Sequence, residues 1–289
     1  MKIKIFISFL LSVLFLYVFY KTVGFHEFKK SFLALNPVYV SFGFLLYFVS
    51  SFLRSYRWHI MIKDINMLEF FLINNVHIFL NNILPARTGE LSFFYMLKKK
   101  GIHLNKSFWI FALARLMDAL ALFGFFFGFF FKVYFLVFII LFGLISVFLL
   151  KHTIRFLPDI FILKSLKQNL STHFESATAL KLYFISVISF AFKFLGFYTM
   201  AKSLIPMGFF DILPSYVVAE LSSILPINGF MGLGTYEFGF SIPSKLSDIS
   251  LKTSLDLGFI THVFLLVSSS ILGILSLLFL KLENYKEEM

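Results

Sequence analysis

Arg115, Asp118, Lys193 and Glu220 lie inside long apolar runs, and Arg87, Glu90 and Glu237 lie where two further apolar runs break. An Arg, Lys or Asp at the centre of a bilayer costs about 2.5–3.5 kcal/mol on insertion scales. Side chains held at that cost face a cavity, a partner or a ligand. Arg115 and Asp118 are three residues apart, which puts them on one face of a helix. Either they neutralise each other as a structural ion pair, or Arg115 holds an anionic group that Asp118 orients. Arg87 and Glu90 share that spacing beside Pro85. A helix starting after Pro85 would turn free N–H groups and a positive dipole end toward an anion, and Arg87 would add a two-pronged donor suited to phosphate.

Around the second break, Gly229, Gly232 and Gly234 would let the backbone bend and approach a ligand, with Glu220 and Glu237 on either side. Lys193 is a second phosphate contact, or else the partner of Glu220 or Asp118. Asn74, His77 and Asn81 form one polar stripe at helical spacing, as residues that line cavities or join helices do. His262 is a candidate proton relay or a packing residue. Arg54 and Arg57, followed by Trp58, read as an interfacial anchor. Nothing matches a nucleotide-binding glycine loop, a His-Glu-x-x-His zinc motif or a nucleophile elbow. No catalytic residue, metal ligand or cofactor is therefore assigned.

The elements that must position these residues are membrane helices. The chain is 59% hydrophobic and only 14% charged over 289 residues, whereas a soluble domain is about 25% charged. Apolar runs near 3–20, 37–54, 107–131, 133–150, 180–201 and 256–280 are long enough to cross about 30 Å of hydrocarbon. Backbone groups in lipid must be satisfied within the segment, so these runs are helices. The first keeps its place as a retained span, with no small-x-small cleavage site before Lys21. Two shorter segments end in turns: Phe70–Leu84 before Pro-Ala-Arg-Thr-Gly-Glu, and Ile212–Leu225 before a glycine-rich turn that reaches Glu237. Each suits a re-entrant or broken helix, and matched interruptions in two halves point to a transporter-like site.

The net charge of +11 sits mostly in short connectors, which favours the positive-inside rule over nucleic-acid binding. With both termini cytoplasmic, about 16 basic residues fall inside against about 7 outside. Zero Cys excludes disulfides and thiol chemistry. The expectation is an all-α, polytopic transmembrane bundle, residues 1–289 forming one domain. It has about 6 full spans plus two broken helices, near 70–90 and 212–237, in an inverted-repeat-like arrangement.

Four pieces, in order, resemble the transmembrane domain of lysylphosphatidylglycerol synthase, the flippase-like part of the multiple peptide resistance factor, and its stand-alone relatives. They are Leu53-Arg54-Ser55-Tyr56-Arg57-Trp58, Leu84-Pro85-Ala86-Arg87-Thr88-Gly89-Glu90, Ala114-Arg115-Leu116-Met117-Asp118 and the Leu225–Glu237 turn. Ala114 stands where members often carry Glu, and the glycine turn is about two residues longer than the usual form. The soluble aminoacyl-transferring domain is not in this sequence, so the resemblance implies a protein that moves or binds a lipid without lysinylating it.

The reading that follows is a flippase-like protein of the cytoplasmic membrane that translocates or binds an anionic phospholipid or a polyprenyl-phosphate-linked head group. Arg87, Arg115 and Lys193 would hold phosphate. Glu90, Asp118, Glu220 and Glu237 would hold a cationic or hydroxylated head or pair with those bases, and Gly232 and Gly234 would shape the turn. The alternatives are a non-catalytic partner presenting lipid to a separate glycosyltransferase or synthase, and an intramembrane lipid-modifying enzyme.

Overall fold

The computed structural model describes residues 2–84, 88–156, 175–205, 207–224, 228–243 and 249–287. Among them every regular element is helical: α1 (Lys2–Thr22), α2 (Phe25–Leu33), α3 (Pro37–Met61), α4 (Met67–Ile83), α5 (Glu90–Lys99), α6 (Leu104–Gly128), α7 (Phe135–Phe156), α8 (Ser176–Met200), α9 (Phe209–Ser223), α10 (Thr235–Ser241) and α11 (Leu251–Glu287). Local chemistry sets several starts. Asn36 accepts the Val38 N–H at 2.9 Å with Pro37 in the first turn of α3, and Asn66 accepts the Glu69 N–H at 2.8 Å before α4. A 3-10 turn, Phe129–Tyr134, with Phe131 out of helical conformation, folds α7 back against α6.

By length and composition, Pro37–Met61, Leu104–His152, Ser176–Met200 and Leu251–Leu282 can cross a membrane, and α1 with α2, bent by 82°, makes a fifth candidate. The Leu104–His152 stretch holds both α6 and α7. α3 also runs past the expected end of its span at residue 54 to Met61, which carries Arg54 and Arg57 inside the helix.

α3 and α8 lie side by side and antiparallel. Ser50 Oγ meets Ser189 Oγ at 3.1 Å, Gly43 lies against Gly196 toward one end, and Arg57 reaches Ser186 toward the other. A Cβ on Gly43 would stand 2.7 Å from the Gly196 carbonyl oxygen, so only glycine permits this approach of two backbones. On either side of this pair the packing exchanges: α4 lies on α11 while α9 lies on α6, α5 packs on α6 while α10 packs on α11. The unit long helix, broken helix, long helix thus occurs twice, as α3–α6 and α8–α11, with the first helices of the two units, α3 and α8, antiparallel. That is the arrangement of an inverted repeat.

Three apolar clusters hold the bundle. The largest joins α6, α8, α9, α10 and α11 around Phe194, Phe197, Tyr216 and Phe240. A second, around Trp58, Phe93 and Phe111, ties the end of α3 to α5 and α6. The third docks Phe15 and Phe19 of α1 against Leu255 and Phe259 of α11. Many of the 45 Phe instead face outward, as Phe42, Phe52, Phe123, Phe148 and Phe279 do, where a bilayer is the matching solvent.

Candidate functional site

The two broken helices end at one polar cavity of about 110 Å³. α4 brings His77, Asn81 and Asn82 to it, and α9 brings Glu220 and Ser223. The second turn supplies Asn228, Gly229 and Gly232, and α10 Thr235 and Tyr236. The long helices close it with Tyr47 and Arg54 from α3, Arg115 from α6, Lys193 from α8 and His262 from α11. A neighbouring cleft shares Arg54, Arg115, Glu220 and Ser223 and adds Glu90, Asp118 and Phe190. The polar chamber therefore shares a wall with a groove between α6, α8 and α9.

The second turn is built to expose backbone to this cavity. Gly232 and Gly234 have φ of 82° and 90°, a region closed to most side chains. A Cβ on Gly232 would come within 3.2 Å of the His262 ring, so the turn lies directly on that imidazole. α1 pins the other side: Ser12 Oγ accepts the Phe230 N–H at 2.7 Å, and Gly234 abuts Phe15.

Three charge pairs and one carboxylate–imidazole pair organise the surroundings. Asp118 is buried and takes both Nη groups of Arg57, whose Nη1 also donates to Ser186 Oγ at 2.6 Å. Lys193 meets Glu220 at 2.6 Å, both nearly buried. Arg115 lies 3.5 Å from Glu90 and 3.4 Å from His77 Nε2. Glu237, wholly buried, receives His262 Nδ1 at 2.7 Å on one oxygen and the Gly234 N–H at 2.7 Å on the other.

Arg115 and Asp118 therefore do not form the pair that their spacing allows. Both lie on α6, but Asp118 turns to Arg57, and Arg115 turns to Glu90 on α5. A fork-to-carboxylate pair satisfies two charges at once, which a lone contact one turn away does not. Arg57 and Arg54 are likewise no interfacial anchor. Arg57 is buried, and Arg54 lines the cavity, donating from Nε to Ser189 Oγ at 3.3 Å with its guanidinium 4.9 Å above the Phe190 ring. Lys193 takes Glu220, one of its two expected partners. The Asn74–His77–Asn81 stripe serves both roles. Asn74 accepts from Trp58 Nε1 at 3.1 Å, joining α4 to α3, while His77 and Asn81 line the cavity.

Of the candidate ligand contacts, Arg115, Lys193, Glu220 and Gly232 line the cavity, and Glu90 and Asp118 line the cleft. Gly234 and Glu237 stand one layer behind, Glu237 reaching the cavity through His262. Arg87 lies outside the described residues. Arg54, Asn82, Asn228, Tyr236 and His262 join the site although they were no candidate contacts. The signal for Arg54 was available: Tyr47, Ser50, Ser51, Arg54, Arg57 and Trp58 recur at helical spacing and form one polar face of α3.

Asn81 Oδ1, Asn228 Oδ1 and Tyr236 Oη are buried on cavity residues and, among the described residues, accept or donate no hydrogen bond. An unmet buried polar atom costs about 1–3 kcal/mol, so these atoms are suited to a polar ligand or to water. Among the described residues no group of three or more His, Asp or Glu side chains is arranged to hold a metal ion.

Comparison with known proteins agrees with this architecture. A UPF0104 membrane protein of Methanocaldococcus jannaschii is 32% identical over 136 residues, covering 44% of this chain and 40% of the relative. No solved structure matches. The model of the lysylphosphatidylglycerol synthase TM region matches residues 5–273. With nearly the whole chain matched and the broken-helix cavity at its centre, this multi-pass membrane protein belongs to the lysylphosphatidylglycerol synthase transmembrane family.

Proposed function

We propose that this protein binds the phosphate-bearing head of a membrane lipid, an anionic phospholipid or a polyprenyl-phosphate-linked group, and carries it between leaflets. The observation that carries this reading is Arg54. Lys193 and Arg115 each have a carboxylate partner, but among the described residues no carboxylate pairs with Arg54. Its guanidinium faces both the cavity and the cleft. A permanent charge at that depth is best matched by a phosphate, to which guanidinium offers two parallel donors. The unmet Oδ1 atoms of Asn81 and Asn228 and the Tyr236 hydroxyl would take the rest of a polar head, while the acyl or polyprenyl chains stay in the groove and the bilayer. The inverted repeat supplies the means of movement, since rocking one half on the other exposes such a site to each side in turn. The excess of basic residues in one set of connectors fits a cytoplasmic membrane with both termini inside.

Fluorescent phosphatidylglycerol and polyprenyl-phosphate probes in proteoliposomes test this directly. Loss of a charge-assisted contact of about 1.5–3 kcal/mol lowers binding about 10- to 150-fold. Arg54→Ala should therefore abolish measurable lipid movement, while Arg54→Lys, keeping the charge without the fork, should retain part of it. Full activity of Arg54→Ala would overturn the phosphate site. No movement with any probe, together with a separate enzyme that co-purifies in stoichiometric amount, would favour a role in presenting lipid to that enzyme.

A further inference from the structure

The two halves carry equivalent charge pairs that differ in one respect. In the first half Glu90 opens α5 and pairs with Arg115 on the following long helix; in the second, Glu237 in the first turn of α10 pairs with His262 on the following long helix. Both pairs span the same 25 residues. The repeat thus places Arg115 and His262 at equivalent positions, one permanently charged and one charged only while both ring nitrogens hold a proton.

The pairs also differ in exposure. The Arg115 and Glu90 side chains are 34% and 29% exposed, those of His262 and Glu237 4% and 0%. The first pair is partly open to its surroundings and the second is enclosed. In an inverted repeat, exchanging the two conformations gives the opposite-facing state. The second pair must then become as open as the first is now.

We propose that Glu237–His262 is a proton-operated latch for the second half of the repeat. With imidazolium at His262 the pair is neutral overall, and α10 stays seated on α11. When His262 gives its Nε2 proton to water in the cavity, its Nδ1–H still donates to Glu237, but the pair now carries one uncompensated negative charge. A buried carboxylate without a compensating charge is costly, so this half opens to water. The latch is shut while that proton is bound and is released when it leaves, so higher pH favours release. Tyr236 of α10 stacks on the His262 ring at 4.6 Å. Among the described residues, the other charged or titratable groups around the cavity are Tyr47 and Arg54 of α3, His77 of α4, Arg115 of α6, Lys193 of α8 and Glu220 of α9. None of these has a contact with the imidazole like that of Glu237. The inference deepens the translocation reading by giving it a driving ion, and it can be tested without any lipid substrate.

The chain has no Cys, so a pair of introduced cysteines reports alone. Spin labels at Phe238→Cys on α10 and Val267→Cys on α11, both outward-facing, give a distance distribution by pulsed dipolar spectroscopy in nanodiscs. The wild-type background should show a longer-distance population at least fivefold larger at pH 8.5 than at pH 5.5. His262→Arg, which copies the first half, should hold the short distance at both pH values, and His262→Gln should show the long population at both. A wild-type distribution unchanged between these pH values overturns the latch, whether or not either variant folds. So does a His262→Arg protein that responds to pH as the wild type does. Either result leaves the Arg54 lipid test standing.

Discussion

Asp118→Ala is expected to cost the folded protein about 3–5 kcal/mol, as breaking a buried ion pair does when one charge is left behind. Arg57 would remain buried at 3% exposure with Ser186 as its neutral partner. The loss falls on α3, α6 and α8 together, because Arg57, Asp118 and Ser186 come one from each. Arg115→Ala on the same helix should cost about 1 kcal/mol or less, since its pair with Glu90 is about one third exposed and screened. Thermal unfolding in detergent, followed by the monodisperse fraction, separates the two. The double variant Arg57→Met/Asp118→Leu should recover most of the stability lost in Asp118→Ala, because apolar replacement of a buried pair is often neutral or better. A mild Asp118→Ala would overturn the Arg57–Asp118 pair, and equally severe losses in Asp118→Ala and Arg115→Ala would restore the pair that sequence spacing first suggests.

The second large effect is expected at Gly229. A Cβ there would overlap the Leu233 carbonyl oxygen and press on Ser12 Oγ. Backbone cannot yield as a side-chain tip can, so Gly229→Ala must reshape the turn that forms one wall of the cavity. Lipid movement by this variant should fall more than tenfold, while helix content by circular dichroism stays within error of the wild type. The same substitution at Gly101, which has nothing within 4 Å but a φ of 80°, should cost about 1 kcal/mol through backbone strain and leave transport intact. A fully active Gly229→Ala protein would show that the turn only closes the chain and does not shape the site.

Much of this was legible before any coordinates. Length and unbroken hydrophobicity demand membrane helices, and the paired Leu-Pro turns place the breaks that end α4 and α9. Intramembrane charges mark Arg115, Lys193 and Glu220 as cavity residues. What escaped was pairing across long separations. Arg57 and Asp118 are 61 residues apart and meet only because α3 and α6 both pack on α8, which no local spacing encodes. Arg54 was hidden by a boundary: two Arg and a Trp read as the end of a span, yet α3 runs on to Met61. The repeat was visible in its turns, but the matched 25-residue Glu-to-cation spacing becomes meaningful only once both pairs are seen in contact.

The Arg57–Asp118 pair also bears on the order in which the protein is made. At about 5–20 residues per second, Asp118 leaves the ribosome roughly 3–12 s after Arg57. During that interval α3 carries two guanidinium groups in its last turns with no carboxylate to receive them, each opposed by about 2.5–3.5 kcal/mol at full depth. Long basic side chains near a helix end reach for the water layer, so a nascent chain halted before α6 should hold residue 57 at the interface. With Arg57 left in place, a cysteine at Ser55, buried in the finished protein, should react with a membrane-impermeant reagent until α6 is added, and be protected afterwards. α3 thus enters the bilayer provisionally and reaches its final depth only when the sixth helix brings its counter-ion.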